Sequence, residues 1–524
     1  MTKKHVGFVA GAFAVAAAMM LTGCGGSASS PSAGGDYDLT LALSAGPINL
    51  DPSGSANGNA SAWYVDLAYQ SLINLNENNE LEPGLAESWE FIDDDFTQLA
   101  VTLRDDVQFA DGTDVTADAV VASVEHFAEG TGPTTSSFRN IEVEATDDRT
   151  VVFTSAEPNV LLPVMLTPKY MAGAIVSPAG LEDPEAIKSA SFGAGPYVLD
   201  SARTVAGDTY VYTPNENYYD QDEVKFSEIT IRVIPNPTSQ VQALKSGQID
   251  VMVGDLSIMP DVEGVENIGV VTNPVFWNGI HLLDRNGTLE PALADVRVRQ
   301  ALNYAVDREA IAEVAYGDYG TAESQPATPG EPSFGYDEEL TDYYTYDPAK
   351  AKKLLAEAGY ADGFELSIPY KGHQPASVLM VQAVAQQLEE VGITVNLDAN
   401  SNTGEWAGKL ATKQFNAAQH DSSGKPRLLE LPGYLLAGGP LNQFDVVDPV
   451  LVEAFDELKA AGEDVDGTAA KNMTRAMTEQ AITIPLVQVD EIILYNSDKV
   501  SDITYLGGSP KLSFIYDWSP VEGE

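Results

Sequence analysis

From Asp347 onward the hydrophobic period alternates between helix and strand, and that alternation restricts the fold more than any other feature of the chain. Asp347-Pro348 supplies an N-cap aspartate with a proline in the first turn. Ala351, Leu354, Leu355 and Ala358 then fall at i, i+3, i+4 and i+7, and Gly359 ends the segment. FELSIPY follows as a strand, then a long helix from about Ala376 to Glu390, then a strand ITVNLDA after Gly392. Strands joined by a helical crossover run parallel, so this stretch predicts a parallel α/β lobe. The same logic gives a helix in SQVQALKSG and a strand in IDVMVG, between Thr238 and Val253.

The chain upstream has a different texture. YDLTLAL reads as a strand and SAGPINLDP as the loop after it. LAVTLRDDVQF alternates, and VVFTS follows further on, which predicts an antiparallel, β-rich subdomain with few helices. No short solenoid-type repeat is present. At 524 residues the chain exceeds one ordinary core, and two or three domains are expected.

The N-terminus reads as targeting, not fold. Lys3 and Lys4 precede an apolar run from Val6 to Leu21 that is short for a membrane span and ends in small residues. It closes on Leu21-Thr22-Gly23-Cys24, which resembles the lipobox of bacterial lipoproteins, with Cys24 lipidated as the first mature residue. Two kinds of lipid chain on one residue bury enough methylenes for stable anchoring. Cys24 is the only cysteine, so no disulfide or thiol site remains. GGSASSPSAGG, residues 25–35, is a flexible tether.

The formal charge is −50, and loss of Lys3 and Lys4 takes it to −52 (−50 minus 2). A polyanion repels phosphate backbones, which argues against nucleic-acid binding. The acidity is spread along the chain and reads as a solvated surface, with a high-salt habitat as one reason. VQFADGTDVTADAVVAS places Asp111, Asp114 and Asp118 close together and invites a metal-loop reading. A calcium loop needs closer alternating ligands and a distal glutamate. Asp111-Gly112 instead fits a turn, and Thr116 an N-cap with Asp118 in the first helical turn.

With INLDP, LEPGLAESWEF, VTLRDDVQFADGTDVTADAVVAS, FGAGPYVL, NENYY, LKSGQIDV, DVRVRQALNYAVDREAI, YDPAKAKKLLAEAGYADGFEL and ITIPLVQVDEIILYN in this order, the chain resembles a known family over almost its full mature length. These are the solute-binding proteins of bacterial ABC transporters, in the peptide and nickel group. The resemblance implies a two-lobed periplasmic-binding-protein-like α/β fold of type II, in its large three-part variety, with a β-rich insertion in lobe I. The expected division is 1–23 signal peptide and 24–35 tether, then lobe I from 36–59, 189–275 and 486–524. The insertion is 60–188 and lobe II is 276–485, with crossings near Asn273 to Trp277 and Ile484 to Asp490.

The resemblance also implies a ligand set. Ser44, Ala45 and Gly46 would line lobe I, Phe276, Trp277 and Asn278 the first hinge, and Trp406 would start the helix EWAGKLATKQF and face the ligand. Aligned without gaps from Phe415, FNAAQHDSSGKPRLLE departs from the family pattern F-D-x-x-x-x-G-W-x-x-D-Y-x-D-P. The tryptophan is Ser422, and the aspartate that pairs with a peptide ammonium is Lys425. The later Asp-Pro is Leu428-Leu429. A lysine cannot hold an ammonium group, so Lys425 or Arg427 would favour a carboxylate, phosphate or other anion. The alternative is a surface loop shifted in register. Gln419, His420 and Asp421 complete the expected contacts, in a loop running to Arg427.

The expected function is a monomeric, lipid-anchored carrier that delivers a peptide or peptide-like solute, one option being a solute with an anionic group, to ABC permease subunits. No cofactor and no metal are expected, because the histidines His126, His281 and His373 are scattered and His420 alone is a poor metal site. No HExxH, GxSxG or P-loop is present. Two alternatives stay open, a tethered solute receptor for signalling and a secreted hydrolase with paired carboxylates.

Overall fold

The computed structural model describes residues 37–521 except 55–59, 77–79, 133, 255, 331, 425–426, 436–438, 463–466, 504–514 and 516–517. The signal, Cys24 and the tether lie outside these residues. All described residues belong to one unit, 33–524.

Its backbone is a nine-stranded sheet. In spatial order the strands are Ala417–Ser423, Ile268–Leu282, Thr483–Asn496, Val251–Val253, Asp38–Leu43, Glu228–Val233, Thr209–Pro214 and Tyr197–Leu199, and Gly320–Ala322 pairs with the Thr483–Asn496 strand off that path. Two of these strands are unusually long, with 15 residues in Ile268–Leu282 and 14 in Thr483–Asn496. They pair antiparallel from Ile268↔Asn496 to His281↔Thr483. At about 3.3 Å per residue each spans roughly 45–50 Å, enough to run through more than one core. Ile492 and Leu494 pack with Ala42, Leu244 and Met252. Ile484, Leu486 and Ile280 pack with Val298, Ile368 and Met380 in a separate cluster. The register between the two long strands shifts at Pro274/Phe276 and again at Asn278/Gly279. Proline has no N–H to give to a ladder, so a break beside Pro274 has a local cause.

The alternating stretch folds as its periodicity predicts. Asp347 caps the helix Pro348–Glu357 by accepting from Lys350 N at 2.8 Å. The strands Glu365–Lys371 and Thr394–Asn400 pair in parallel, and the helix Pro375–Glu390 between them buries Met380, Val381, Val384 and Leu388. Gly363 closes this unit with φ +77°, and a Cβ there would lie 1.8 Å from the Gly392 carbonyl oxygen.

The insertion carries a four-stranded antiparallel sheet in the order Ala86–Phe91, Gln98–Leu103, Thr150–Ser155, Ile141–Ala145. It holds one helix that was not expected, the 9-residue Ala60–Ala68 ahead of that sheet, besides the expected 13-residue Ala117–Glu129. The first is hidden in sequence by Trp63, Tyr64 and Val65, residues with strand preference. The second follows the predicted cap, with Thr116 accepting from Ala119 N at 3.3 Å and Val120, Val124 and Phe127 buried. Ahead of it Asp111 accepts from Thr113 N at 2.9 Å around Gly112, whose φ is +82°. Among the described residues no group of three or more acidic, histidine or cysteine side chains could hold a metal, and no helix is long and apolar enough to cross a membrane.

Candidate functional site

Strand ends build the site. The C-terminal ends of Glu365–Lys371 and Ala417–Ser423, with the start of the Pro375–Glu390 helix, come to the long strands where their register shifts. Ligand crevices in α/β folds form at such strand ends. A cavity of about 540 Å³ lies there. Gly254, Leu256 and Ile492 bound it on one side, and Phe276, Tyr316 and Ala376 on the other.

A chain of side-chain amides fixes its floor. Gln419 accepts from Lys371 N at 3.1 Å and donates to Asn278 Oδ1 at 2.9 Å. Asn278 Nδ2 donates to Tyr316 Oη at 2.8 Å and to Ser377 Oγ at 3.4 Å, and Ser377 donates to Gln374 Oε1 at 3.0 Å. Asn278 is 2% exposed and Gln419 fully buried, so each must be satisfied internally. Burial pushes the Tyr316 hydroxyl up to about 12, which keeps it a neutral donor and acceptor.

The lining is mostly apolar, with three carboxylates set into it. Asp421, Asp490, Glu491 and His373 line the cavity, and no lysine or arginine does among the described residues. Lys371 pairs with Asp421 from beside the cavity. Burial pushes the Glu491 carboxyl up to about 8, and burial raises Asp490 above the ordinary carboxylate value despite a hydrogen bond with Thr272.

Strand alternation sends the other expected residues to the opposite face. Asn278 pairs with Asp421, whereas Trp277 pairs with Ser422. Trp277 is 1% exposed and meets the His420 ring edge-on at 5.7 Å. The Trp406 ring lies near-parallel to His420 at 6.2 Å, and Lys371 Nζ sits 5.0 Å from the Trp406 ring centre. His420 Nε2 is 3.1 Å from Tyr434 Oη. Trp277 Nε1, Trp406 Nε1, Gln488 Oε1 and Arg427 Nε are buried without a hydrogen-bond partner among the described residues.

Two expectations are corrected here. The expected loop from Gln419 to Arg427 is a strand through Ser423, paired residue by residue with Phe276–Leu282, and Arg427 starts a short helix. Its alternating pattern is masked by polar residues at both faces, Gln419, His420, Asp421 and Ser422. Arg427 does not offer an open anion receptor. It is 2% exposed, its Nη1 pairs with Glu430 and its Nη2 donates to the Pro326 carbonyl at 2.6 Å. Ser422 Oγ donates to the same Glu430 at 2.6 Å. Lys425 lies outside the described residues.

Of the expected residues, the cavity brings together Phe276, Asn278 and Asp421, with Gln419 behind them. Ser44 and Ala45 are exposed and Gly46 half-buried, and none of the three lines the cavity, although Ala45 O accepts from Tyr64 Oη at 3.1 Å. Trp406 starts one turn into the helix Thr403–Ala411, which stops four residues before Phe415. Sequence reasoning missed Tyr316, Gln374, Ser377, Asp490 and Glu491. The last two had a signal: adjacent acids inside the run PLVQVDEIIL, where Gln488 is the one other polar residue.

Known proteins share this architecture. The family described as bacterial extracellular solute-binding proteins, family 5 Middle, matches residues 80–427. The glutathione-binding protein GsiB of Shigella boydii serotype 4 is 30% identical over 385 residues, 71% of this chain and 72% of that relative. Heme-binding protein A of Haemophilus influenzae is 29% identical over 399 residues, 69% of each chain. The solved structure of HbpA2 from Haemophilus parasuis superposes with a TM-score of 0.78 at 22% identity, covering 92% of this chain and 100% of that one. At that identity the likeness speaks for the fold alone.

Proposed function

The chain belongs to the bacterial extracellular solute-binding proteins of family 5, and from that premise we propose that it captures a peptide or peptide-like solute in the cavity at the strand ends. The family's members are carriers, not enzymes; they bind small solutes outside the cytoplasm and deliver them to ABC permeases. The finer reading is that Cys24 carries the lipid anchor. Residues 36–59, 189–275 and 486–524 form one lobe with 60–188 inserted, and 276–485 form the other.

One observation carries the reading. The cavity is lined from both sides of the register shift, by Gly254 and Ile492 before it and by Phe276 and Asn278 after it. A solute there touches both proposed lobes at once. Rotation about the shifted register would enclose it, which is how hinge closure couples binding to a change of shape. The chain-borne groups supply orientation through the Gln419–Asn278–Tyr316 amide chain and apolar contact through Phe276 and Ile492.

Thermal shift against di- and oligopeptides, oligosaccharides, opines and metal chelates tests it. A true solute at a hundred times its Kd adds about 2.7 kcal/mol of stability by linkage, and small-angle scattering on the same complex should report a smaller radius of gyration. Turnover of a hit, or the absence of any stabilising solute, counts against the reading. For the anchor, mass spectrometry of the membrane-extracted protein should find lipid chains on an N-terminal Cys24, and an unmodified Cys24 would refute it.

A further inference from the structure

The charges around the cavity are unequal in a way that specifies a ligand. Resting on the reading of this cavity as the solute site, we propose that it selects solutes carrying a positively charged nitrogen, an ammonium or guanidinium group, received by Glu491 with Asp490 beside it. Three carboxylates line the cavity with one histidine, His373, and no lysine or arginine does among the described residues. Asp421 is the one already compensated, through Lys371.

Glu491 is different. Its residue surface is partly exposed, yet Oε2 is buried and has no hydrogen-bond partner among the described residues. The amide placed to satisfy it does not. Asn273 lies directly across the ladder from Glu491, and its Nδ2 is also buried without a partner among the described residues. A buried acceptor left open costs free energy in the empty protein, and a carboxylate costs more. A cation entering the cavity beside Glu491 favours the charged form of the carboxylate, the direction opposite to what burial imposes. Asp490, adjacent and also raised by burial, adds negative potential at the same point.

The remaining walls suit the stem of such a group. Phe276 and Tyr316 present aromatic faces and Leu256 an aliphatic one, and rings attract cations through their quadrupoles. An anionic solute finds carboxyl groups and no lysine or arginine in the lining among the described residues, so nothing there but His373 can supply it a counter-charge. The open volume of about 540 Å³ lies within the range of small-molecule sites.

The test uses the full chain and four N-acetylated tripeptides, Ac-Ala-Lys-Ala, Ac-Ala-Arg-Ala, Ac-Ala-Nle-Ala and Ac-Ala-Glu-Ala, with their free-amino counterparts, measured by calorimetry. Acetylation removes the terminal ammonium and the C-terminal carboxylate is common to all four, so the side chain alone sets the difference in charge. The lysine or arginine member should bind best, and Glu491→Gln should weaken it by at least about tenfold while leaving the unliganded circular dichroism unchanged. Equal or tighter binding of the norleucine or glutamate peptide, or an unchanged Kd in Glu491→Gln, overturns the inference and leaves the solute-binding reading standing. A series in which nothing binds overturns both this inference and the peptide-like solute. The wider solute panel then decides the carrier reading by itself.

Discussion

The turn at 111–118 and the carboxylates near the register shift use one functional group in opposite ways. Asp111, Asp114 and Asp118 are close in sequence and exposed, and each is served locally: Thr113 donates to Asp111, Gln108 to Asp114, and Asp118 sits at a helix N-terminus. Asp421, Asp490 and Glu491 are spread over 71 positions (421 to 491), and strand pairing gathers them, while Glu430, in a short helix, reaches Ser422 on the other face of the strand. All are partly buried: Asp421 and Asp490 depend on the distant Lys371 and Thr272, Glu430 on Arg427 and Ser422, and Glu491 Oε2 has no hydrogen-bond partner among the described residues. Density of acids along a chain therefore says little about a site, because water satisfies exposed carboxylates at small cost, whereas burial makes each missing partner expensive.

The largest effect should come from Glu430. It is held in the interior by Arg427 and Ser422, and Tyr434 Oη donates to it at 3.3 Å. Arg427→Leu leaves that carboxylate without its cation. Breaking a buried pair on one side costs about 3–5 kcal/mol, while replacing both partners by apolar groups costs far less. Urea denaturation should therefore show Arg427→Leu as severely destabilised and Arg427→Leu/Glu430→Leu as substantially recovered. A single variant within about 1 kcal/mol of the parent would mean that Glu430 behaves like the exposed aspartates, and the contrast would fail.

That pair also shows what could be read from the sequence. Arg427 and Glu430 are three apart, but the carbonyl that completes the guanidinium's shell belongs to Pro326, 101 positions away. Local chemistry was legible: the Asp347 and Thr116 caps, the Pro375–Glu390 helix and the parallel strands around it follow from residues a few positions apart. The cavity was not, because its floor joins Asn278, Tyr316, Ser377 and Gln419, which meet only once the long strands are in register. A shift of one residue exchanges the two faces of a strand. Trp277 and Asn278, expected together at one ligand, show the consequence, one buried beside His420 and the other at the cavity.

Glu491 should give the next largest effect, of about 1–3 kcal/mol for an open buried group, and it carries a pH signature. Its ordinary value is 4.5 and burial raises it to about 8. The folded protein therefore holds the proton to higher pH than the unfolded chain. Stability from this group falls as pH rises from 4.5 to about 8 and is level above. Glu491→Gln keeps the shape without the titration, so its melting temperature should gain on the parent between pH 5 and pH 9. A constant gap would show that Glu491 is not buried as a carboxylic acid. Asp490 titrates in both proteins and cancels in the difference.

A smaller effect, up to about 1 kcal/mol, is expected where a buried carboxylate meets a half-exposed histidine. His126 Nε2 lies 3.0 Å from Asp51 and joins the segment after the first strand to the Ala117–Glu129 helix. The hydrogen bond to Asp51 raises His126, against the opposing pull of burial, with the charges of Asp51 and Glu129 adding to the rise. Burial would lift Asp51, but its bonds with His126 and Ser53 hold it lower. The histidine's contribution is complete below its ordinary 6.5 and is lost as pH rises through its raised value; that of Asp51 is present above 3.8 and lost on acidification. His126→Gln should thus cost most between about pH 4 and 6.5 and least near pH 9. A penalty that grows with pH would reverse the assignment.

The smallest effect belongs to the aspartates of the 111–118 turn. Asp111→Asn, Asp114→Asn and Asp118→Asn each remove a charge from an exposed position and leave a polar side chain able to cap or turn. Each should cost no more than about 0.5 kcal/mol, with Asp118 highest because its charge faces the helix N-terminus. Solute binding should not change, since none of the three lines the cavity. Calcium gives the decisive comparison. If the turn were a metal loop, calcium would raise the parent's melting temperature and not that of the triple variant. The expected result is the same response in both proteins, because a cation that merely screens the chain's excess negative charge stabilises each alike. A calcium gain lost in the triple variant would show that sequence density had marked a site after all, and that exposed, locally satisfied carboxylates can do what the comparison reserves for buried ones.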